Sequence, residues 1–198
     1  MRLGVFGGSF DPIHYGHLRI AESLRESHAL DKVLFVPAYV SPFKVGETGT
    51  PPEIRAELVR VAIASNPYFA IWTGELDAPG PSYTVETLRR LKVEFSGAEI
   101  FFLLGFDALQ GILRWREPEA LLTLAKFVAA TRPGTTEEQV RDAVPDGWEG
   151  AIDFVDIPPI DLSSTEMRAL VSRGKSLRYL TPPAVIEQID VRRLYKAG

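Results

Sequence analysis

Short apolar runs alternate along this chain with stretches whose apolar residues recur every three or four positions. Leu3 to Phe6, Lys32 to Pro37, Phe69 to Thr73, Glu99 to Leu104, Phe127 to Thr131 and Ile152 to Ile157 read as strands. Between them, Leu18, Ala21 and Leu24, with Ile20, mark one helical face. Ile54, Leu58, Val61 and Ala62 mark a second behind the helix-opening Pro52. Val85, Leu88 and Leu91 mark a third, with Thr84 as its N-cap. Leu121 to Leu124 sits on a short helix, and Thr136 to Val144 forms a polar one. Ser163-Ser164-Thr165-Glu166 spells a capping box ahead of the buried face Met167, Leu170 and Val171. Pro182 and Pro183 open a last helical region, whereas Ala38 to Pro51 lacks any period and is a long loop. Strands alternating with helices predict an α/β fold, a mainly parallel sheet with helices on both faces. No repeat or boundary interrupts the pattern, so residues 1–198 read as a single domain, with a C-terminal helical region of about 163–198 packed on it.

Composition narrows the function classes. A chain of 198 residues can bury a substantial core. Its net charge of -4 argues against broad nucleic-acid binding while leaving room for a small basic pocket. Without cysteine, disulfides and thiolate metal sites are impossible, which fits a reducing compartment. The N-terminus has no signal-peptide layout, and the longest apolar run, Ile100 to Leu104, is far short of a membrane span. The expectation is a cytoplasmic protein with neither membrane nor nucleic acid as partner, its oligomeric state left open.

The densest chemistry lies where the first strand meets the first helix, at Gly7-Gly8-Ser9-Phe10-Asp11-Pro12-Ile13-His14-Tyr15-Gly16-His17. Gly7 and Gly8 let a ligand approach the backbone or supply a positive φ. A helix beginning near Gly16 offers unpaired N–H groups and a positive dipole end to an anion. His14 and His17, three apart on a first turn, can face one point. These are the features of a phosphate-handling site. Two common phosphate motifs are absent. The glycines fall at Gly4, Gly7 and Gly8, not in G-x-G-x-x-G, and Phe35-Val36-Pro37 stands where a ribose-binding acid would close the second strand. Gly174-Lys175-Ser176 looks like a P-loop end, but Ala169 occupies the place of its first glycine, and Gly174 reads instead as a helix C-cap.

The eleven residues resemble the G-G-[ST]-F-D-P-x-H-x-G-H signature of the nucleotidyltransferase superfamily. Ser163-Ser164-Thr165-Glu166-Met167-Arg168 is similar to the [IV]-S-S-T-x-[IM]-R element of bacterial-type nicotinate-nucleotide adenylyltransferases, with Leu162 at the usual Ile or Val. Pro81-Ser82-Tyr83-Thr84, Gly105-Phe106-Asp107, Arg114-Trp115, Arg132-Pro133-Gly134 and Tyr179-Leu180-Thr181-Pro182 match the same family in order. One departure is Ser41-Pro42-Phe43-Lys44, where family members often carry Pro-Pro-His-Lys.

The resemblance implies a Rossmann-like sheet of nucleotidyltransferase type and transfer of AMP from ATP to nicotinate mononucleotide, with ATP and that mononucleotide as partners. It implies that His14, His17 and Arg168 serve catalysis. Gly7, Gly8, Ser9, Phe10, Gly105, Asp107, Arg132, Ser163 and Ser164 would join His17 and Arg168 around ATP. Ser9, Lys44, Tyr83, Thr84 and Trp115 would take the mononucleotide, with Trp115 stacking on the pyridine ring and the Tyr83 and Thr84 amides meeting its carboxylate. Mg2+ would arrive with ATP, since no carboxylate cluster looks like a protein-made metal cage. Two alternatives stay beside this one. A phosphopantetheine-type adenylyltransferase usually lacks the Pro-Ser-Tyr-Thr and Arg-Trp segments. A non-catalytic nucleotide binder on the same fold is expected to have lost a histidine or the arginine, and this chain keeps His14, His17 and Arg168.

Overall fold

The computed structural model describes residues 1–44, 49–131, 134–158 and 160–196, excepting the side chains of Lys44, Asp107, Glu137 and Arg141. In chain order the elements are β1 (Arg2–Gly8), α1 (Tyr15–Ser27), β2 (Lys32–Pro37), a 3-10 turn (Pro42–Lys44), α2 (Pro52–Ile63), β3 (Phe69–Ile71), α3 (Thr84–Glu94) and β4 (Glu99–Gly105). There follow α4 (Phe106–Leu109), a second 3-10 turn (Ile112–Arg114), α5 (Pro118–Leu124), β5 (Lys126–Thr131), α6 (Glu137–Ala143), β6 (Ile152–Asp156), α7 (Ser164–Ser172) and α8 (Pro183–Val191).

The sheet order is β3-β2-β1-β4-β5-β6, and each neighbouring pair is parallel. Alternation along the strands divides the core between two faces. Phe6, Val33, Phe35, Phe101 and Leu103 pack on one side with Leu24, Leu58, Met167 and Val185, from α1, α2, α7 and α8. Leu3, Val5, Leu34, Val36 and Phe102 pack on the other with Leu88, Leu109, Leu121 and Ala143, from α3 to α6. Burying both faces is what allows the β4 strand to read as a continuous apolar run. Among the described residues no helix is long and apolar enough to cross a membrane.

The strand order reverses between β1 and β4, and a ligand crevice opens beyond the carboxyl ends at such a point. Gly8 and Gly105 end those two strands. Two local readings change, and a third holds. The N-cap of α3 is Tyr83, one residue before Thr84. At α7 the Ser163 hydroxyl accepts from the Glu166 N–H at 3.1 Å, which is one half of a capping box. Gly174 does close α7, at φ +66°, with its N–H on the Val171 carbonyl and Lys175 N–H on that of Leu170, a Schellman turn.

Candidate active site

The glycine–histidine turn lies at the end of β1, and its backbone carbonyls are tied down from all over the chain. Arg55 Nη1 donates to Ser9 O at 2.5 Å, Arg168 Nη1 to Asp11 O at 2.7 Å, the Ser164 hydroxyl to Pro12 O at 2.9 Å and the Thr181 hydroxyl to Ile13 O at 2.8 Å. Tyr15 N–H adds a bond to Leu180 O. A loop fixed by four side chains from distant segments is preorganised before any ligand arrives. It also gives a physical reason for the Leu180-Thr181 segment, which resemblance alone had singled out.

Neither Gly7 nor Gly8 has a positive φ. A Cβ on Gly8 would meet the Phe10 ring at 2.9 Å, so that glycine is there for packing. Phe10 is 2% exposed and packs against Phe6 and Phe35, so its side chain belongs to the core beneath the turn.

Helix α1 is capped by the two histidines themselves. His14 is the N-cap, and its Nδ1 accepts from His17 N–H at 3.4 Å while His17 Nδ1 accepts from His14 N–H at 3.2 Å. The rings stack with centroids 3.7 Å apart. An Nδ1 that accepts carries no hydrogen, so each neutral ring has its hydrogen on Nε2. Burial lowers His14 from 6.5 to about 4. Burial first, and the neighbouring His14 second, push His17 well below its ordinary value. The pair is therefore two neutral N–H donors at neutral pH.

Two cavities flank this turn. The first, about 610 Å³, is lined by His14, His17, Gly105, Ser163, Ser164 and the end of β5. Both serine hydroxyls there are engaged, at the α7 cap and on Pro12, and with the Glu166 N–H on Ser163 the Ser164 and Thr165 N–H groups of α7 remain for an anion. The second, about 180 Å³, is lined by Gly7, Gly8, Ser9, Tyr83, Thr84 and Trp115, among others. Trp115 is half-buried, its indole edge-on to Phe102 at 5.8 Å and 87°. Tyr83 makes no side-chain cap bond, and although Glu86 N–H turns back to Tyr83 O, the Thr84 and Val85 amides that open α3 have no intrahelical partner. Arg168 borders neither cavity. It stands in a third hollow beside Ser9, Asp11, Arg55 and Tyr195. Of the remaining expected residues, Arg132 and the side chains of Lys44 and Asp107 lie outside the described part.

Sequence reading missed three participants. Arg55 is 6% exposed and also donates to the carbonyls of Thr50, Ala38 and Tyr39. Its place one turn from Leu58 and Val59, inside the buried stripe of α2, was the available signal. Tyr195 donates to Asp11 Oδ1 at 2.6 Å from the chain's end, a contact no local pattern announces. Glu75 lines the second cavity from a turn without periodicity.

A doubly wound parallel sheet with a histidine-capped helix at its switch point defines a nucleotidyltransferase-type α/β protein. A cytidylyltransferase-like family model matches residues 5–170. A probable nicotinate-nucleotide adenylyltransferase of Roseiflexus sp. (strain RS-1) is 42% identical over 98% of this chain and 98% of its own. One from Thermus thermophilus is 44% identical over 99% of this chain and 100% of its own. The chain belongs to the cytidylyltransferase-like family and, within it, to the nicotinate-nucleotide adenylyltransferases. A Plasmodium falciparum nicotinic acid mononucleotide adenylyltransferase complexed with NaAD shares the fold, with a TM-score of 0.77 at 20% identity over 98% of this chain and 97% of that one.

Proposed function

We propose that this protein transfers AMP from ATP to nicotinate mononucleotide, yielding deamido-NAD and pyrophosphate. The observation that carries the reading is the pair of cavities meeting at one rigid turn, a polar one walled by histidines and helix amides and a smaller one walled by an indole and helix amides. An oxygen of the mononucleotide phosphate attacks the α-phosphorus of ATP. The bond from that phosphorus to the bridging oxygen of the β-phosphate breaks, and pyrophosphate leaves with the electron pair.

In this reading His14 and His17 hold the polyphosphate through their Nε2–H groups, aided by the N–H groups of Gly8, Ser9 and the first turn of α7. Gly7 and Gly105 give the nucleotide close access to the backbone. Trp115 stacks on the pyridinium ring, which is cationic and attracted to an indole face. The amides of Tyr83 and Thr84 take its carboxylate. Family resemblance assigns Lys44 to the mononucleotide phosphate, Asp107 to ribose, Arg132 to the adenylate and Arg168 to the β- and γ-phosphates. Arg168 would have to leave Asp11 O to do so. Among the described residues no group of three or more His, Asp or Glu could hold a metal, so Mg2+ would ride on the phosphates of ATP. The single-domain reading is part of the same proposal, supported by Met167, Leu177 and Val185 sharing one buried cluster with Phe6 and Phe35.

The test is pyrophosphate release with ATP and nicotinate mononucleotide, one pyrophosphate appearing per dinucleotide formed. Release with phosphopantetheine instead would redirect the assignment, and binding of ATP without turnover would make this a nucleotide binder.

A further inference from the structure

The small cavity contains a carboxylate that the reaction as described does not use. Glu75 lies on the turn between β3 and α3 and lines the cavity beside Ser82, Tyr83, Thr84 and Thr87. Its Oε1 accepts the Thr87 hydroxyl at 2.5 Å. The Ser82 side chain also favours its charged form, and the Ser82 Oγ accepts the Tyr39 N–H at 2.9 Å. Burial pushes the Glu75 carboxyl up, against the pull of Thr87, Ser82, Arg90 and Arg55. A desolvated carboxylate is kept in a ligand cavity only where its hydrogen bonds matter.

The rest of the turn is clamped along one stripe of α3. Thr87, Arg90 and Glu94 recur at three and four residues, on one helix face. Thr87 bonds Glu75, Arg90 donates to Gly74 O and stands over the Trp72 ring at 5.0 Å, and Glu94 accepts Trp72 Nε1–H at 2.8 Å. Glu75 is the end of this clamp nearest the cavity. An ordinary N-cap side chain would consume an N–H of the second or third helical residue. Here the Glu75 bond falls on the Thr87 hydroxyl, one turn into the helix, and consumes none of the opening amides.

We propose that Glu75 is a specificity-determining positioning residue. By holding the Thr87 hydroxyl from a place beside Ser82 it fixes the first turn of α3, so that the Tyr83 and Thr84 amides face the cavity uncapped and at a set distance from Trp115. The Tyr39–Ser82 bond also ties the start of the long loop to this helix end, with Arg55 holding Tyr39 O from the other side. The inference rests on the functional reading above, in which those amides meet the nicotinate carboxylate.

The experiment measures kcat and KM for each substrate in wild type, Glu75→Ala, Glu75→Gln and Thr87→Val. Loosening the amides is expected to raise KM for nicotinate mononucleotide roughly tenfold in Glu75→Ala and Thr87→Val. KM for ATP should stay within about twofold, because ATP meets the other cavity. Glu75→Gln keeps an acceptor for a hydroxyl in the same place and should stay within about threefold of wild type. Equal losses in Glu75→Gln and Glu75→Ala would overturn the proposal, because the charge itself would then be acting on the pyridinium. A parallel rise in KM for ATP would overturn it as well, by showing general loosening. If Glu75→Ala fails to fold, Thr87→Val carries the same test from the helix side. A wild-type protein that ignores nicotinate mononucleotide would contradict the functional reading, whereas active wild type with unchanged variants would contradict only the role of Glu75.

Discussion

Two imidazoles that cap a helix with their Nδ1 atoms can spend their Nε2–H groups on a ligand, and this division of labour makes His17 testable. If it donates to charge developing on the transferring phosphate, His17→Ala should lower kcat on the order of a hundredfold or more, well beyond its effect on KM for ATP. Retention of most of kcat would remove His17 from catalysis. His14 carries a stability prediction as well. Its native value of about 4 against 6.5 means that the folded state resists a proton which the unfolded chain accepts. The associated stability, on the order of 3 kcal/mol, is fully present above the unfolded value and is lost as pH falls towards the folded one. His14→Asn can still cap the helix but cannot titrate. Denaturant unfolding at about pH 7 and about pH 4 should therefore show a smaller acid loss in the variant than in wild type, and parallel losses would contradict the tautomer and burial argument. The sequence motif pointed to both histidines as catalytic residues. It could not show that each would first cap the helix, because capping by imidazole depends on ring geometry that spacing does not encode.

The strands and most helix faces were readable because a two-faced sheet forces apolar alternation and runs, and β2 matches its expected span of Lys32 to Pro37. Polar ties were not readable. Arg55 is the clearest case, since an arginine is ordinarily read as solvent-facing, yet here the α2 stripe carries it inward to four carbonyls from three segments. Its neighbours Ile54 and Val61, expected on the buried face, are only partly buried, while Val59 and Ile63 are fully so. Removing this side chain would leave several carbonyls without donors, at about 2–5 kcal/mol. Arg55→Met should lower Tm by on the order of 10 °C in scanning calorimetry, and Arg55→Lys should recover little, because three ammonium donors on a flexible stem cannot reproduce a planar fork. A variant melting with wild type would show that the loop start and signature turn stand without it.

At the scale of the whole molecule, the sheet's switch point places one rigid turn between two cavities of different character, and the claim that follows is selective joining of two nucleotides. Much of this was visible from motifs: the turn, the Ser163 helix start and the Tyr83 to Trp115 wall all gather at the carboxyl end of the sheet. The place of Arg168, beside Asp11 and Tyr195 and apart from the histidine cavity, was not, since a side chain's resting partner is a tertiary fact. The amides of α3 suit a carboxylate, whereas a carboxamide would set its own NH2 against N–H donors and leave one buried donor unpaired. The most direct measurement is kcat/KM for nicotinate and nicotinamide mononucleotides side by side, in wild type and in Trp115→Ala. The account predicts a preference for nicotinate on the order of a hundredfold, and a raised KM for the mononucleotide but not for ATP once the indole is gone. Equal turnover of the two mononucleotides would contradict it.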